Sequence, residues 1–104
     1  MQFLKKFFGL GPKADFKELF NNGATIVDVR TKSEYHSGNI KGSLNIPLDI
    51  LPNSLSKINR DKPVITCCAS GMRSASAKRI LKNNGYTEVY NGGGWTNLLM
   101  KIRD

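Results

Sequence analysis

The chain has 104 residues, which fits one compact domain with one hydrophobic core and leaves no room for a second domain. Its hydrophobic fraction of 39% and charged fraction of 23% are those of a folded protein and exclude a disordered one. Sixteen Lys and Arg against eight Asp and Glu give a net charge of +8, which favours anionic partners. Because the basic residues are spread over the chain, in pairs at most, and form no aromatic-interleaved strip or recognition motif, the sequence argues against nucleic-acid binding.

Residues 1–13 are predicted to form an N-terminal extension that packs on or beside a domain occupying residues 14–104. Four apolar residues of the extension recur at helical spacing, namely Phe3, Leu4, Phe7 and Phe8. A short amphipathic helix of this kind lies on a membrane surface or on the protein itself, and we expect the second. The apolar run is too short for a signal peptide, so we expect neither a signal nor a membrane span.

The first half of the domain is predicted to contain three helices, a buried strand and a brief extended piece. Apolar residues at helical spacing indicate a helix over residues 14–20. The β-branched run at residues 25–29 is typical of a buried parallel strand, and the polar residues after it predict a short helix. A brief extended piece is expected at residues 42–47, followed by a loosely patterned helix over 48–58 that Pro52 interrupts.

The second half repeats the alternation of strand and helix. A buried strand is predicted at residues 64–67, and the clearest helix of the chain follows at 74–84. A short strand at 88–90, a flexible glycine turn at 91–94 and a final helix at 95–102 complete the domain. The glycines at 92–94 are expected to permit a tight turn or a close approach of the backbone beside the site, and not to bind phosphate. Strands that alternate with helices predict an α/β fold: a central parallel sheet of four to five short strands, flanked by helices on both faces.

Cys67 and Cys68 are adjacent, so a disulfide between them would be strained and both thiols are expected to be free. Free cysteines in a short chain indicate a reducing compartment, and the cytoplasm is the expected location. Because side chains alternate along a strand, Cys68 is predicted to face the following loop. Cys67 is predicted to be packed inside, with a role as redox partner as the alternative.

A strand, a cysteine, a loop containing Gly71 and a helix together predict a cradle of backbone N–H groups around Cys68. Such a cradle stabilises negative charge, so it lowers the pKa of the thiol and makes the thiolate available near neutral pH. Arg73 adds a fixed positive charge. The carboxyl edge of a parallel sheet is also where ligands bind in α/β proteins.

Residues 68–74, with the sequence CASGMRS, resemble the rhodanese active-site pattern Cys-x-x-Gly-x-Arg-Ser. Three further segments resemble other hallmarks of that family in the same order: residues 28–30 with Glu34 and Tyr35, residues 38–47, and residues 92–95. The resemblance extends from about residue 14 to residue 99. The chain departs from the family at Asn39, where many members have histidine, and we expect that position to be structural.

The resemblance implies a rhodanese-type sulfurtransferase of the thiosulfate:cyanide class. The Cys68 thiolate would take sulfur from a small anionic donor such as thiosulfate, form a persulfide, and pass the outer sulfur to a thiol or cyanide-like acceptor. Cys68 and Arg73 would be catalytic, and the substrate would be bound by loop backbone amides, those of Ala69, Ser70, Gly71, Met72 and Arg73. No metal and no cofactor is implied, and we expect a monomer.

Ion pairs are predicted to support the loop. Asp28, at the end of the neighbouring strand, is the expected carboxylate partner of Arg73. Arg30 and Glu34 lie four positions apart and are expected to pair with each other and fix the turn. Asp28 and Arg30 are therefore supporting residues. His36 is expected to be exposed and not a general base, because nothing in the sequence pairs it with the nucleophile.

Two other functions fit parts of the pattern. A cysteine phosphatase or arsenate reductase has a similar loop. The pattern that those proteins resemble has five residues between the cysteine and the arginine, whereas four residues separate Cys68 from Arg73. A persulfide carrier that exchanges sulfur with a protein partner fits the same loop. The neutral side chains of Ala69, Ser70 and Met72, and a nucleophile expected near the surface, favour such a carrier.

Overall fold

Residues 14–104 are described by the computed structural model, and the predicted extension at residues 1–13 lies outside them. The four strands of the described part are β1 (Thr25–Asp28), β2 (Leu44–Asn45), β3 (Val64–Cys68) and β4 (Val89–Gly94). All neighbouring strands are parallel, and their order across the sheet is β2-β1-β3-β4. The predicted parallel α/β architecture is therefore confirmed.

Helices connect and cover these strands. The α-helices are α1 (Phe16–Asn21), α2 (Lys32–His36), α3 (Met72–Asn83) and α4 (Trp95–Ile102). Two short 3₁₀ helices, Leu48–Asn53 and Leu55–Lys57, stand where one loosely patterned helix was expected. Pro52 lies inside the first of them, and its missing N–H and its ring do not permit a regular α-helix there.

The core consists of two apolar clusters, one on each face of the sheet. Val27 and Val64 pack on the face covered by α3 and the first 3₁₀ helix. Ile26 and Ile65 pack on the opposite face, against α1 and α4. This alternation continues to the end of β3, so Cys68 belongs to the first cluster and Cys67 to the second.

The glycines at residues 92–94 form strand, not the flexible turn that their composition predicted. β4 continues through Gly94 and passes directly into α4. A Cβ atom at Gly92 would lie 2.8 Å from Cγ2 of Ile65 and 2.9 Å from the carbonyl oxygen of Thr66, so only glycine fits. At Gly94 a Cβ atom would lie 2.9 Å from the Ala69 carbonyl oxygen. The glycines therefore allow β4 to approach β3 and the loop that follows it.

Substituting Gly92 with alanine is expected to lower the free energy of unfolding by about 2 kcal/mol, because the added methyl group collides with packed side chains and backbone. Urea denaturation followed by circular dichroism measures this loss. The matched control is Asn97→Ala on exposed α4 surface, for which we expect a change below about 0.5 kcal/mol. Equal stability of the two variants would contradict the packing role of Gly92.

Candidate active site

The candidate site lies at the carboxyl edge of the sheet, where β3 ends at Cys68 and α3 begins at Met72. Gly71 caps the helix with φ of 104°, a left-handed conformation that glycine adopts without strain. The helix begins two residues earlier than the sequence pattern indicated. Arg73 and Ser74 consequently lie in its first turn, where backbone N–H groups have no helical partner.

Backbone N–H groups converge on the sulfur of Cys68. The N–H of Gly71 donates to Sγ at 3.0 Å, and the N–H of Ser74 donates to it at 3.3 Å. The thiol in turn lies 3.5 Å from the hydroxyl oxygen of Ser74. Cys68 is only 1% exposed, so the sulfur lies beneath the loop. The expectation that the nucleophile lies near the surface was wrong.

This environment lowers the pKa of Cys68. Burial alone would raise the pKa, because it penalises the charged thiolate. The Ser74 side chain and the N–H groups of Ser74, Gly71 and Ser70 act in the opposite direction and together outweigh burial. A thiolate is therefore available closer to neutral pH than in an ordinary cysteine.

Three side chains of the loop are exposed to solvent. Ala69 and Ser70 are exposed, and Met72 is 80% exposed. Of the five amides predicted to bind substrate, that of Gly71 donates to Sγ, and that of Ser70 contributes to lowering the pKa of Cys68. Ser74, which was not among the predicted substrate-binding residues, makes the second N–H bond to the sulfur.

Ser74 and Asn91 connect the loop to β4. The hydroxyl of Ser74 lies 2.6 Å from Oδ1 of Asn91, which also accepts the N–H of Gly93 at 2.9 Å. Ser74 stands in the active-site pattern, so its place in the motif was a usable signal. Asn91 had none, because its segment was assigned to a flexible turn.

Cys67 lies on the opposite face of the sheet and is fully buried. Burial raises the pKa of its thiol, and the negative charge of Asp28 raises it further. The thiol therefore stays protonated at neutral pH and is a poor nucleophile. This agrees with the expectation that Cys67 is a packing residue.

A buried ion pair joins Asp28 and Arg30. Nη2 of Arg30 lies 2.7 Å from one carboxylate oxygen, and Nε lies 2.9 Å from the other. The guanidinium also donates to the carbonyl oxygens of Glu34 and Gly38, and it stacks on Trp95 with 4.7 Å to the ring centroid. The buried charges are thus paired and hydrogen-bonded, as stability in a low dielectric requires.

Both predicted ion pairs were wrong in their partners. Arg73 does not pair with Asp28, whose carboxylate is covered by Arg30. It pairs with Glu34, through Nη1 at 2.7 Å and Nη2 at 2.9 Å. The hydrogen bond from Arg30 to Glu34 goes to the backbone oxygen and not to the carboxylate. The partners are exchanged because α2 turns the Glu34 side chain toward the loop, while Asp28 stays at the buried end of β1.

The pKa of Glu34 falls to about 2, chiefly because Arg73 donates to its carboxylate. The backbone N–H of Thr31 donates to the same carboxylate at 3.0 Å, as part of a capping box that starts α2. Glu34 is therefore charged at neutral pH and well below it. Helix capping and the ion pair fix its position together.

Three further residues singled out in the sequence have other surroundings. His36 is exposed in the last turn of α2. The side chain of Asn39 donates to the carbonyl oxygen of Tyr35 at 2.9 Å, which is the structural role expected of it. Trp95, the first residue of α4, is half-buried and packs on the face of the sheet that α1 and α4 cover.

Within residues 14–104, no group of three His, Cys, Asp or Glu side chains is arranged to hold a metal ion. No helix of that part of the chain is both long and apolar enough to cross a membrane. Its fully buried side-chain nitrogen and oxygen atoms all have hydrogen-bond partners.

This chain is similar to known proteins in sequence and in architecture. A family model described as Rhodanese-like domain matches residues 12–101. The protein YqhL of Bacillus subtilis is 43% identical over 68 residues, which are 65% of this chain and 54% of that protein. The chain thus spans about half the length of this relative.

A curated relative and a solved structure extend the comparison. The thiosulfate sulfurtransferase GlpE of Stutzerimonas stutzeri is 38% identical over 74 residues, covering 71% of this chain and 68% of that protein. The crystal structure of a rhodanese-like domain protein from Staphylococcus aureus has a TM-score of 0.70 and 32% identity. That match covers 81% of this chain and 86% of the other. The similarity therefore extends over most of the domain.

Proposed function

This chain belongs to the rhodanese-like domain family, and we propose that it is a sulfurtransferase that carries sulfane sulfur as a persulfide on Cys68. The observation that carries the proposal is the pair of N–H bonds from Gly71 and Ser74 to Sγ. These donors stabilise a thiolate beneath the loop, and a thiolate is the nucleophile that sulfur transfer needs.

In the first step the Cys68 thiolate attacks the outer sulfur of a donor such as thiosulfate. The new S–S bond forms as the bond from the outer sulfur to the donor breaks, and sulfite leaves with that electron pair. In the second step a thiolate or cyanide acceptor attacks the outer sulfur of the persulfide, and the Cys68 thiolate is the leaving group. No external oxidant or reductant is needed, because each step passes one sulfur atom from a leaving anion to an attacking one.

The cradle has a role at both ends of this cycle. Sγ of Cys68 carries the charge before the first step and again after the second, so donors fixed at 3.0 and 3.3 Å favour both. Between the steps the charge resides on the outer sulfur. We expect the remaining loop amides, from Ala69 to Arg73, to face it. The guanidinium of Arg73 is paired with Glu34 beside the loop, and we expect this pair to hold the loop in position. The Asp28 and Arg30 pair would support the segment that positions Glu34.

Mass spectrometry of the purified protein after incubation with thiosulfate tests the proposal. We expect a mass gain of one sulfur atom on the peptide that contains Cys68. Addition of cyanide or a small thiol should remove it and regenerate the free thiol. Sulfur found on Cys67 alone, or on neither cysteine with any sulfane donor, would contradict the proposal.

Transfer between proteins is a second candidate, favoured by the neutral side chains around the loop and by the exposure of Met72 at 80%. An apolar side chain at the rim of the site suits contact with a protein surface. A persulfide carrier would show slow turnover with thiosulfate and cyanide, together with fast loading from a protein persulfide. Turnover as fast with the small molecules as with the protein donor would argue for the enzyme with free substrates.

The pH dependence of sulfur loading should show whether the hydroxyl of Ser74 lowers the pKa of Cys68. Because the pKa of Cys68 is lowered, the loading rate should rise with pH and level off below the pKa of an ordinary cysteine. Ser74→Ala removes one of the groups that stabilise the thiolate, so the midpoint of the loading rate should move to higher pH. Stopped-flow loading rates, recorded from about pH 5 to about pH 10, measure the midpoint.

The control is Ser70→Ala, which removes an exposed hydroxyl from the same loop and leaves the backbone N–H in place. Its midpoint should match that of the unmodified chain. An unshifted midpoint in Ser74→Ala would show that the backbone donors alone set the pKa of Cys68.

A further inference from the structure

The hydroxyl of Ser74 has one hydrogen and three acceptors within reach. Its oxygen lies 2.6 Å from Oδ1 of Asn91, 3.0 Å from the carbonyl oxygen of Gly71 and 3.5 Å from Sγ of Cys68. A hydroxyl donates one hydrogen and accepts with its lone pairs, so it can serve only one of these acceptors fully at a time. The three atoms therefore compete for the hydrogen.

The side-chain amide of Asn91 has a defined orientation. Oδ1 also accepts the N–H of Gly93 at 2.9 Å, and a backbone N–H can only donate, so the atom that faces Ser74 is the oxygen. Nδ2 faces the carbonyl oxygen of Gly71 at 3.4 Å, which suits a donor. Because an amide oxygen carries no hydrogen, the contact of 2.6 Å requires that Ser74 donates to Asn91.

The backbone of Ser74 is fixed on two sides. Its N–H donates to Sγ of Cys68 at 3.3 Å, and its carbonyl oxygen accepts the hydroxyl of Thr66 at 2.8 Å. Ser74 is itself fully buried. The hydroxyl oxygen is therefore held in place, and only its hydrogen can change direction, by rotation about the Cβ–Oγ bond.

The protonation state of Cys68 decides which acceptor is favoured. The thiol can donate to the hydroxyl oxygen of Ser74, so the hydroxyl keeps its bond to Asn91. The thiolate has no hydrogen and is a charged acceptor, which attracts the hydroxyl hydrogen more strongly than a neutral oxygen does. Donation to the sulfur then requires that the bond to Asn91 is lost, and this loss offsets part of the stabilisation.

This competition bears on sulfur transfer, because a thiolate that is stabilised less is a stronger nucleophile. Resting on the sulfur transfer proposed above, we infer that Asn91 is a positioning residue: it competes with the Cys68 sulfur for the hydroxyl hydrogen of Ser74, and it thereby keeps the thiolate reactive. The two backbone N–H groups stabilise the sulfur whichever way the hydrogen points. Asn91 thus acts on the nucleophile through Ser74.

The titratable and charged groups around the sulfur stay the same when Asn91 is replaced. β4 contributes Tyr90 as its one titratable side chain, and Cys67 on β3 stays protonated at neutral pH. The charged side chains on the neighbouring elements include Asp28, Arg30, Lys32, Glu34, Asp49, Arg73 and Lys78. Because none of these groups is substituted, a difference between the variants below arises from Asn91 and from the hydroxyl of Ser74.

Asn91→Ala removes the competing acceptor, and the matched control is Asn97→Ala, which removes the same group from the exposed surface of α4. Asn91→Leu also removes the acceptor but nearly keeps the size of the side chain, so it serves if alanine loosens β4. Both substitutions of Asn91 are made in the unmodified chain and in Ser74→Ala, where the contested hydroxyl is gone. Circular dichroism confirms that each variant is folded.

Two measurements are made on the full chain. The ultraviolet absorbance of the thiolate, recorded against pH, gives the midpoint of Cys68 ionisation, and the same variant carrying Cys68→Ser is the blank that cancels the tyrosines. Rates of loading with thiosulfate, followed by mass spectrometry over the same pH range, give the reactivity of the sulfur. The first measurement does not depend on sulfur transfer.

Asn91→Ala and Asn91→Leu should move the midpoint to lower pH, because the hydroxyl then turns to the thiolate without losing its bond to Oδ1. The loading rate should be about twofold higher at the acidic end and about twofold lower on the alkaline plateau, since a better-stabilised thiolate is more abundant but less nucleophilic. Neither quantity should change on replacing Asn91 in Ser74→Ala, or in the Asn97→Ala control. A residue that only held the loop would move the midpoint to higher pH, because a looser cradle stabilises the thiolate less.

A midpoint in Asn91→Ala and Asn91→Leu that equals or exceeds that of the unmodified chain would overturn the inference. An equal downward shift with and without the hydroxyl of Ser74 would also overturn it, because Asn91 would then act by another route. Absence of sulfur on Cys68 with thiosulfate and with an organic persulfide would contradict the proposed function, while the midpoints still decide the role of Asn91.

Discussion

A Cys68→Ser variant is expected to lose sulfur loading completely, with no sulfur added by thiosulfate or by an organic persulfide. A serine hydroxyl has nearly the size of the thiol, so the fold should be preserved. The hydroxyl is not ionised near neutral pH, and its oxygen cannot form a persulfide. Mass spectrometry of the intact protein after incubation with each donor measures the loss. Circular dichroism and the midpoint of urea unfolding confirm that the variant is folded.

The neighbouring cysteine is the matched control. Cys67→Ser replaces a thiol of raised pKa on the opposite face of the sheet, so loading of Cys68 should continue at close to the original rate. Some stability should be lost, because the hydroxyl is buried among apolar side chains. Sulfur loading that survives in Cys68→Ser and is lost in Cys67→Ser would reverse the assignment of the nucleophile.

Removing Arg30 should destabilise the fold more than Gly92→Ala or Cys67→Ser. Arg30→Leu leaves the carboxylate of Asp28 fully buried without its cation, which lowers the free energy of unfolding by about 3–5 kcal/mol. It also removes the bonds that Arg30 donates to the carbonyl oxygens of Glu34 and Gly38. Urea unfolding followed by tryptophan fluorescence is informative here, because the guanidinium stacks on Trp95.

Two comparisons separate the buried charge from the loss of an arginine as such. Arg79→Leu, on the exposed surface of α3, should change stability by less than about 0.5 kcal/mol. Adding Asp28→Asn to Arg30→Leu should recover part of the loss, because the orphaned charge becomes a neutral amide. No recovery in the double variant would mean that the bonds to Glu34 and Gly38, and not the charge, account for the effect.

Much of the fold follows from short-range patterns. The alternating strands and helices of the domain and the helix at residues 95–102 were predicted from spacing alone, and the structure has them in that order. The exceptions have local physical causes. Pro52 breaks its helix into 3₁₀ turns, and the glycines at 92–94 serve close packing, which depends on side chains distant in sequence such as Ile65.

The sequence by itself was enough to predict the position of Cys68 and the backbone cradle around it. Cys68, Gly71 and Ser74 lie within one strand–loop–helix segment, so the N–H groups that contact Sγ follow from local backbone geometry. Side-chain alternation along β3 likewise places Cys68 and Cys67 on opposite faces of the sheet, and this alternation is a property of any strand.

Only the tertiary structure decided which charges pair. Arg73 and Glu34 are 39 positions apart in the chain, and spacing alone favoured the nearer Arg30 as the partner of Glu34. The outcome depends on how α2 packs beside the loop and on Asp28 lying fully buried at the end of β1, where Arg30 holds its carboxylate. Because pairing energy depends on distance and burial, the charge that surrounds the Cys68 sulfur is set by the packing of these elements and not by their spacing in the chain.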